Sequence, residues 1–320
     1  MSRPPRRTGR VDLATRVGSV VLPNPVMTAS GTAGHGAELA PYVDLGALGA
    51  VVVKSLSAEP WDGNPPLRVT ETGAGMLNSV GLQGPGVTAW LARELPALLD
   101  AGARVVASIW GRSTEDYARA AALLADAPAE VVAVEVNLSC PNTEAGRDLF
   151  AHSAEATEAV MAVTAACGRP RWAKLSPNVT SIVPIAAAAQ AGGAEAVTLI
   201  NTVMGMAVDV DTGAYRLGSG ERGGGLSGAG IHPIAVRAVH DVHAALPDLP
   251  IVGVGGVSSG ADAAELLLVG ASAVQVGTAT FADPRAPLRV LQELEAWADR
   301  SERRSMSTIV GTVHRRETTR

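Results

Sequence analysis

Only two cysteines, Cys140 and Cys167, occur in 320 residues. Two thiols exclude a disulfide scaffold and fall short of the about four thiolates that an iron–sulfur cluster needs. Aromatic side chains are nearly as scarce, at 3%, so small aliphatic residues must fill the core. An excess of positive charge is missing too. Lys and Arg number 26 against 31 Asp and Glu, a net charge of −5, and no basic stripe offers a track for nucleic acid. No apolar run reaches the roughly 20 residues that cross a bilayer. These absences point to a cytoplasmic chain acting on a small molecule, without nucleic acid or membrane. Arg3, Arg6, Arg7 and Arg10 sit in a Pro-rich start, and Asp12 and Arg16 interrupt any apolar signal core. Residues 1–10 therefore read as a disordered basic tail.

What is abundant is Ala, Gly and Val within a hydrophobic share of 47%. That mixture suits close-packed parallel strands covered by Ala-rich helices. Eight short apolar runs recur: 25–30, 50–55, 105–109, 131–139, 171–176, 196–202, 251–256 and 273–278. Helix-like segments at 114–127, 151–167, 182–191, 234–245 and 261–269 separate most of them. Alternation of strand and helix means a parallel sheet, and eight such units mean a closed (β/α)8 TIM barrel in a single domain. The barrel is assigned to residues 11–300, and a charged C-terminal tail to 301–320. The longest departures from the pattern, 59–83 and 204–230, read as loops, and loops of that length are usually functional.

Polar residues fall at the strand ends. In order they are Ser30, Lys54 with Ser55, Ser108, Asn137 with Cys140, Lys174, Asn201 with Thr202, Gly255-Gly256 and Gly277-Thr278. Lys or Asn at the end of an Ala/Val strand adds nothing to packing. At the carboxyl rim of a barrel all eight positions converge on one cavity, where this fold builds its chemistry. The glycines closing strands seven and eight suit a phosphate held by backbone N–H groups. Gly-x-Gly-x-x-Gly occurs at 218–223 and 223–228 without a preceding strand, so a dinucleotide fingerprint fails; Gly228 can still join the phosphate cradle.

Lys54 and Lys174 offer positive charge to an anion or an electron-rich ring, and Schiff-base chemistry is the rival use. Asn78, Asn137, Asn142 and Asn201 supply donors and acceptors suited to a flat ligand edged with C=O and N–H, such as a pyrimidine. Cys140, in a polar loop, reads as a base or nucleophile, whereas Cys167, at the end of an Ala-rich helix, reads as structural. His232, His240 and His243 lie in or near one helix with no evident third ligand, so no metal site is expected.

These motifs together resemble dihydroorotate dehydrogenases, specifically the class 1B catalytic subunit. The resemblance covers about residues 11–282 and rests on 29–31 (ASG), 53–55 (VKS), 76–83 (MLNSVGLQ), 137–142 (NLSCPN), 173–178 (AKLSPN), 200–202 (INT), 224–228 (GGLSG), 253–256 (GVGG) and 276–278 (VGT). It implies oxidation of (S)-dihydroorotate to orotate in pyrimidine (UMP) synthesis. FMN is then expected to contact Ser30, Lys54, Ser55, Asn137, Lys174, Ile200, Gly228, Gly255, Gly256, Gly277 and Thr278. Ser108 is expected to join these FMN contacts, at a position where relatives often carry asparagine near the flavin. Orotate is expected at Lys54, Asn78, Ser79, Val80, Gly81, Leu82, Asn137, Asn142, Asn201 and Thr202. Cys140 matches the catalytic base of class 1, with Lys54 beside it. The base would take the C5 proton while a hydride leaves C6 for the flavin, and Lys174 would stabilise the reduced ring.

The membrane-bound class 2 enzymes carry serine at the Cys140 position and an amphipathic N-terminal extension, neither of which fits here. The loop 141–150, with Gly146, reads as a lid. The resemblance also implies a partner subunit carrying FAD and a 2Fe–2S cluster, NAD as final acceptor, and a homodimeric core within a heterotetramer. Three alternatives stay open: a class 1A-like enzyme that reduces fumarate directly, a Schiff-base aldolase barrel using Lys174, and a non-catalytic barrel that binds a phosphate ligand.

Overall fold

The computed structural model describes residues 11–139, 150–217 and 223–317. Eight parallel strands run round a barrel: β1 (Val26–Thr28), β2 (Val51–Val52), β3 (Val105–Ile109), β4 (Val131–Asn137), β5 (Arg171–Leu175), β6 (Ala196–Leu199), β7 (Ile251–Val254) and β8 (Ala273–Val276). From β2 to β8 each pairs with its sequence neighbours, β8 pairs with β1, and a parallel bridge between Met27 and Ala50 joins β1 to β2. This is the (β/α)8 barrel that the strand–helix alternation predicts. Every residue of β3, β6, β7 and β8 is buried. A strand covered on one face by helices and on the other by barrel contents is buried on both, so these runs are mostly apolar and do not alternate; Ser108, Thr198 and Gln275 are the buried polar exceptions.

Local chemistry sets the helix starts. Ser113 accepts from the Asp116 N–H (3.2 Å) to begin 114–122. Ser259 and Asp262 form a reciprocal capping box for 260–268. Pro96, Pro184, Pro233 and Pro287 occupy first turns, where the missing N–H has no helical partner to lose. The single helix expected over 151–167 is instead a 3-10 turn at Phe150–His152, an α-helix at Ala154–Val163 and a second 3-10 turn at Thr164–Cys167. Ser153 caps the α-helix, and Gly168 ends the segment in the left-handed region at φ 63°.

A hairpin of Thr15–Val17 and Val20–Leu22 covers one end of the barrel. Its Val17, Val20 and Leu22 pack on Met27, Val52, Val106, Ala133, Trp172, Ala196, Val252 and Ala273. The two stretches read as loops build the opposite face. Val69–Thr72, Gly75–Asn78, Gly224–Ser227 and Val203–Gly205 form a four-stranded antiparallel sheet. These strands hold three or four residues each, and their central pairing sets Asn78 against Gly225. Elements so short and so far apart in sequence leave no local periodicity to read.

Beyond the helix Ala286–Arg300, Met306 and Ile309 are fully buried. The Met306 N–H donates to Asp12 O (3.0 Å) and the Gly311 N–H to Leu267 O (3.1 Å). This segment therefore contributes to the core. Met306→Ala should lower unfolding free energy by about 2–5 kcal/mol, the usual cost of emptying a buried methionine site. Urea denaturation measures it, and a loss below about 0.5 kcal/mol, the size of an ordinary surface change, would contradict the packing.

Candidate active site

Seven of the eight strand ends open into one cavity of about 390 Å³, within the range of small-molecule sites. Ser30 follows β1, and Lys54 and Ser55 follow β2. Asn137 ends β4, and Lys174 is the penultimate residue of β5. Ile200, Asn201 and Thr202 follow β6. Gly255 and Gly256 follow β7, and Gly277 and Thr278 follow β8. The roof sheet and its approach supply Asn78, Ser79, Val80, Gly81, Leu82 and Gly228.

Eighteen of the expected site residues thus share one cavity wall. Ser108 does not. It is fully buried, one layer behind Ser55, with the two hydroxyl oxygens 2.9 Å apart. Cys140, Asn142 and the loop 141–149 lie outside the described residues.

The carboxamides are locked in orientation. Asn137 Oδ1 accepts from the Ser139 N–H (3.2 Å) and from Asn201 Nδ2 (3.1 Å), so its Nδ2 faces Ser55 Oγ at 3.3 Å. Asn201 Oδ1 accepts from the Thr202 N–H (2.7 Å), and the Tyr117 hydroxyl fixes the Asn137 carbonyl at 2.6 Å. Asn78 Nδ2 donates to Gly225 O at 3.3 Å, tying the site to the roof sheet.

The lip 79–82 is held from outside. Asn64 Nδ2 donates to Ser79 O (2.8 Å), Trp61 Nε1 to Gly81 O (2.9 Å), and the Asn64 N–H to Val80 O (3.0 Å). Leu82 sits at φ +63°. A leucine in this region is held against its backbone preference by about 1–2 kcal/mol, the kind of strain that gathers at ligand clamps. The charge of Lys54 reaches the partly buried imidazole of His35. Burial first, and then the Lys54 charge, push its pKa below the ordinary imidazole range, which keeps it neutral.

Gly255 and Gly256 take φ of +134° and +68°. A Cβ on Gly256 would lie 2.7 Å from the Cβ of His232, and one on Gly255 would lie 2.8 Å from the Cβ of Ala235. Backbone conformation and tight helix contact demand both glycines. Around them, the N–H groups of Gly255, Gly256, Gly277 and Thr278 have no backbone acceptor among the described residues. Four such donors on one wall fit a phosphate. Lys174 and the oriented carboxamides fit the polar edge of a flat ring. The donor set therefore fits the flavin mononucleotide that the resemblance implies.

Sequence reasoning missed the layer beneath. Lys174 Nζ lies 3.4 Å from Glu135 Oε1 and 3.4 Å from Gln275 Oε1. Glu135 Oε2 accepts from Gln275 Nε2 (2.7 Å) and Thr198 Oγ1 (3.1 Å). A charged residue inside the run 131–136 was the available signal. Asn178 was also missed as a brace; its carboxamide spans Thr202 O (3.0 Å) and the Met204 N–H (2.8 Å).

Cys167 is buried in its 3-10 turn, with Sγ 3.7 Å from Arg169 O, and burial pushes its thiol pKa up. His240 stacks on His314 with ring centroids 4.5 Å apart, and the His243 ring lies tilted against His314 at 4.9 Å. No group of three or more potential metal ligands occurs among the described residues. No helix there is long and apolar enough to cross a membrane.

The family model for dihydroorotate dehydrogenase matches residues 12–297. The chain belongs to the dihydroorotate dehydrogenase family. Among similar proteins, one from Solibacter usitatus named putative dihydroorotate dehydrogenase A (fumarate) is 48% identical, covering 94% of this chain and 98% of its own. The catalytic subunit of dihydroorotate dehydrogenase B (NAD(+)) from Desulforudis audaxviator is 45% identical over 96% of this chain and 99% of its own. Its counterpart from Alkaliphilus metalliredigens is 44% identical over 95% and 99%. In this dihydroorotate dehydrogenase family member the barrel mouth gathers two glycine pairs and the paired carboxamides of Asn137 and Asn201 on one cavity.

Proposed function

We propose that the chain oxidises (S)-dihydroorotate to orotate in pyrimidine synthesis, as the cytoplasmic catalytic subunit of an NAD-type enzyme. The observation that carries this reading is the convergence of Lys54, Asn78, Asn137, Lys174, Asn201 and Thr202 with two glycine pairs on one cavity. Gly228, Gly255, Gly256, Gly277 and Thr278 would seat the FMN phosphate, and Ser30, Ser55, Asn137, Lys174 and Ile200 would face its ring. Bound FMN would supply the hydride acceptor for C6 of the substrate.

The chain's own residues do the rest. Lys54, Asn78, Asn137, Asn142, Asn201 and Thr202 hold the pyrimidine edge, and the N–H groups at Gly81 and Leu82 meet its carboxylate. Cys140 removes the proton from C5. Ion pairing between Lys174 and Glu135 opposes the free amine that an aldolase would need.

Electrons then leave through a partner subunit with FAD and a 2Fe–2S cluster to NAD, in an assembly with a homodimeric core. The 48% identical relative with the fumarate name favours a second reading, in which the chain alone reduces fumarate. One anaerobic experiment separates them. The purified chain should carry FMN, and dihydroorotate should bleach it. With the single chain, NAD should then reoxidise the flavin slowly, and the FAD/iron–sulfur subunit should accelerate this. Rapid reoxidation by fumarate without a partner would move the chain to the fumarate class. A colourless protein that borohydride and substrate trap as a lysine adduct would overturn the flavin reading.

A further inference from the structure

Barrels of this fold commonly fill their interior with bulky aliphatic layers. Here one layer is polar. Glu135 is fully buried on β4, two residues before Asn137, and it does not reach the cavity. Lys174 lines the cavity and turns its ammonium down toward it. The Glu135 carboxylate, an acceptor on both oxygens, takes Lys174 Nζ at 3.4 Å on one, and Gln275 Nε2 at 2.7 Å and Thr198 Oγ1 at 3.1 Å on the other. Gln275 closes the triangle, its Oε1 3.4 Å from Lys174 Nζ.

Replacing such a buried pair by packed hydrophobic residues is often neutral or stabilising, so stability does not account for this layer. Its geometry does one thing: it fixes the Lys174 ammonium at the cavity wall and places the Glu135 carboxylate beside it, on the side away from the cavity.

We infer that Glu135 is a positioning residue that holds Lys174 and offsets its charge, and thereby sets the reduction potential of the flavin above. This rests on the flavin reading given above. A flavin gains electrons on reduction, so positive charge beside it favours the reduced form and negative charge disfavours it. Glu135 holds the potential below the value that Lys174 alone would impose.

The test is the midpoint potential of bound FMN in the wild type, Glu135→Gln and Glu135→Asp, on folded holoprotein checked by flavin content and circular dichroism. Glu135→Gln keeps shape and removes charge. It should favour the reduced flavin at least tenfold in the two-electron equilibrium, a rise of about 30 mV. Glu135→Asp keeps the charge but draws it back from Lys174, so the potential should rise by less. A purely structural role predicts the reverse order, because aspartate disturbs the packing more than glutamine does, and that order overturns the inference. So does an unchanged or lowered potential in Glu135→Gln. If Glu135→Gln does not accumulate as holoprotein, Glu135→Asp carries the test alone, and a potential at or below the wild type overturns it. A wild-type chain that takes up no flavin sinks the flavin reading and this inference together. Wild-type flavin with an unmoved potential in the variants sinks the inference alone.

Discussion

Replacing Cys140 by alanine should slow anaerobic reduction of the flavin by dihydroorotate by about 10²–10⁴-fold, the usual contribution of a positioned general base. Flavin content should not change, because the cavity wall assigned to FMN is built from other residues. Cys140 follows Ser139, which lines the cavity at the end of β4. A thiolate is the competent base, so the wild-type reduction rate should rise with pH through the thiol range and level off above it. That limb should vanish in the alanine variant. Serine at this position, the residue of class 2, should retain part of the rate. Stopped-flow reduction of pre-bound flavin isolates this step from reoxidation. An alanine variant that reduces its flavin at the wild-type rate would remove Cys140 from the mechanism.

The second large effect is expected at Asn137. Its carboxamide bonds Ser139, Asn201 and Ser55 at once, and it is almost fully buried. Asn137→Ala leaves the Asn201 amide and the Ser139 N–H without their acceptor. Each such loss costs about 1–3 kcal/mol. It would also remove the contacts proposed to flavin and substrate, so kcat/KM for dihydroorotate should fall roughly 10²–10⁴-fold, equivalent to about 3–5 kcal/mol. Loss of stability alone cannot mimic this. Met306→Ala, outside the cavity lining, should lose comparable stability and keep kcat/KM. Equal kinetic losses in the two variants would mean that Asn137 acts only through folding.

Much of this site was legible because each barrel strand ends where its apolar run ends. A polar residue just past Val53, Val136 or Leu199 has one place to go once the sheet closes. That logic located Lys54, Asn137, Asn201 and both glycine pairs. It failed at Ser108, which occupies an equivalent position in sequence. There, the side chain stops against Ser55 and never reaches the cavity. It failed also at the roof, because Gly224–Ser227 and Gly75–Asn78 become strands only by pairing with each other across the chain.

The sequence by itself determined the barrel, its strand order and the chemical character of its mouth. Local periodicity, capping residues and strand-end polarity are written into neighbouring residues. Only the tertiary structure decided which hydroxyl faces the cavity and which lies behind it, how the roof sheet pairs, and that Glu135 lies beneath Lys174. Those outcomes depend on side chains from different strands meeting in a closed interior, and no stretch of chain carries that information alone.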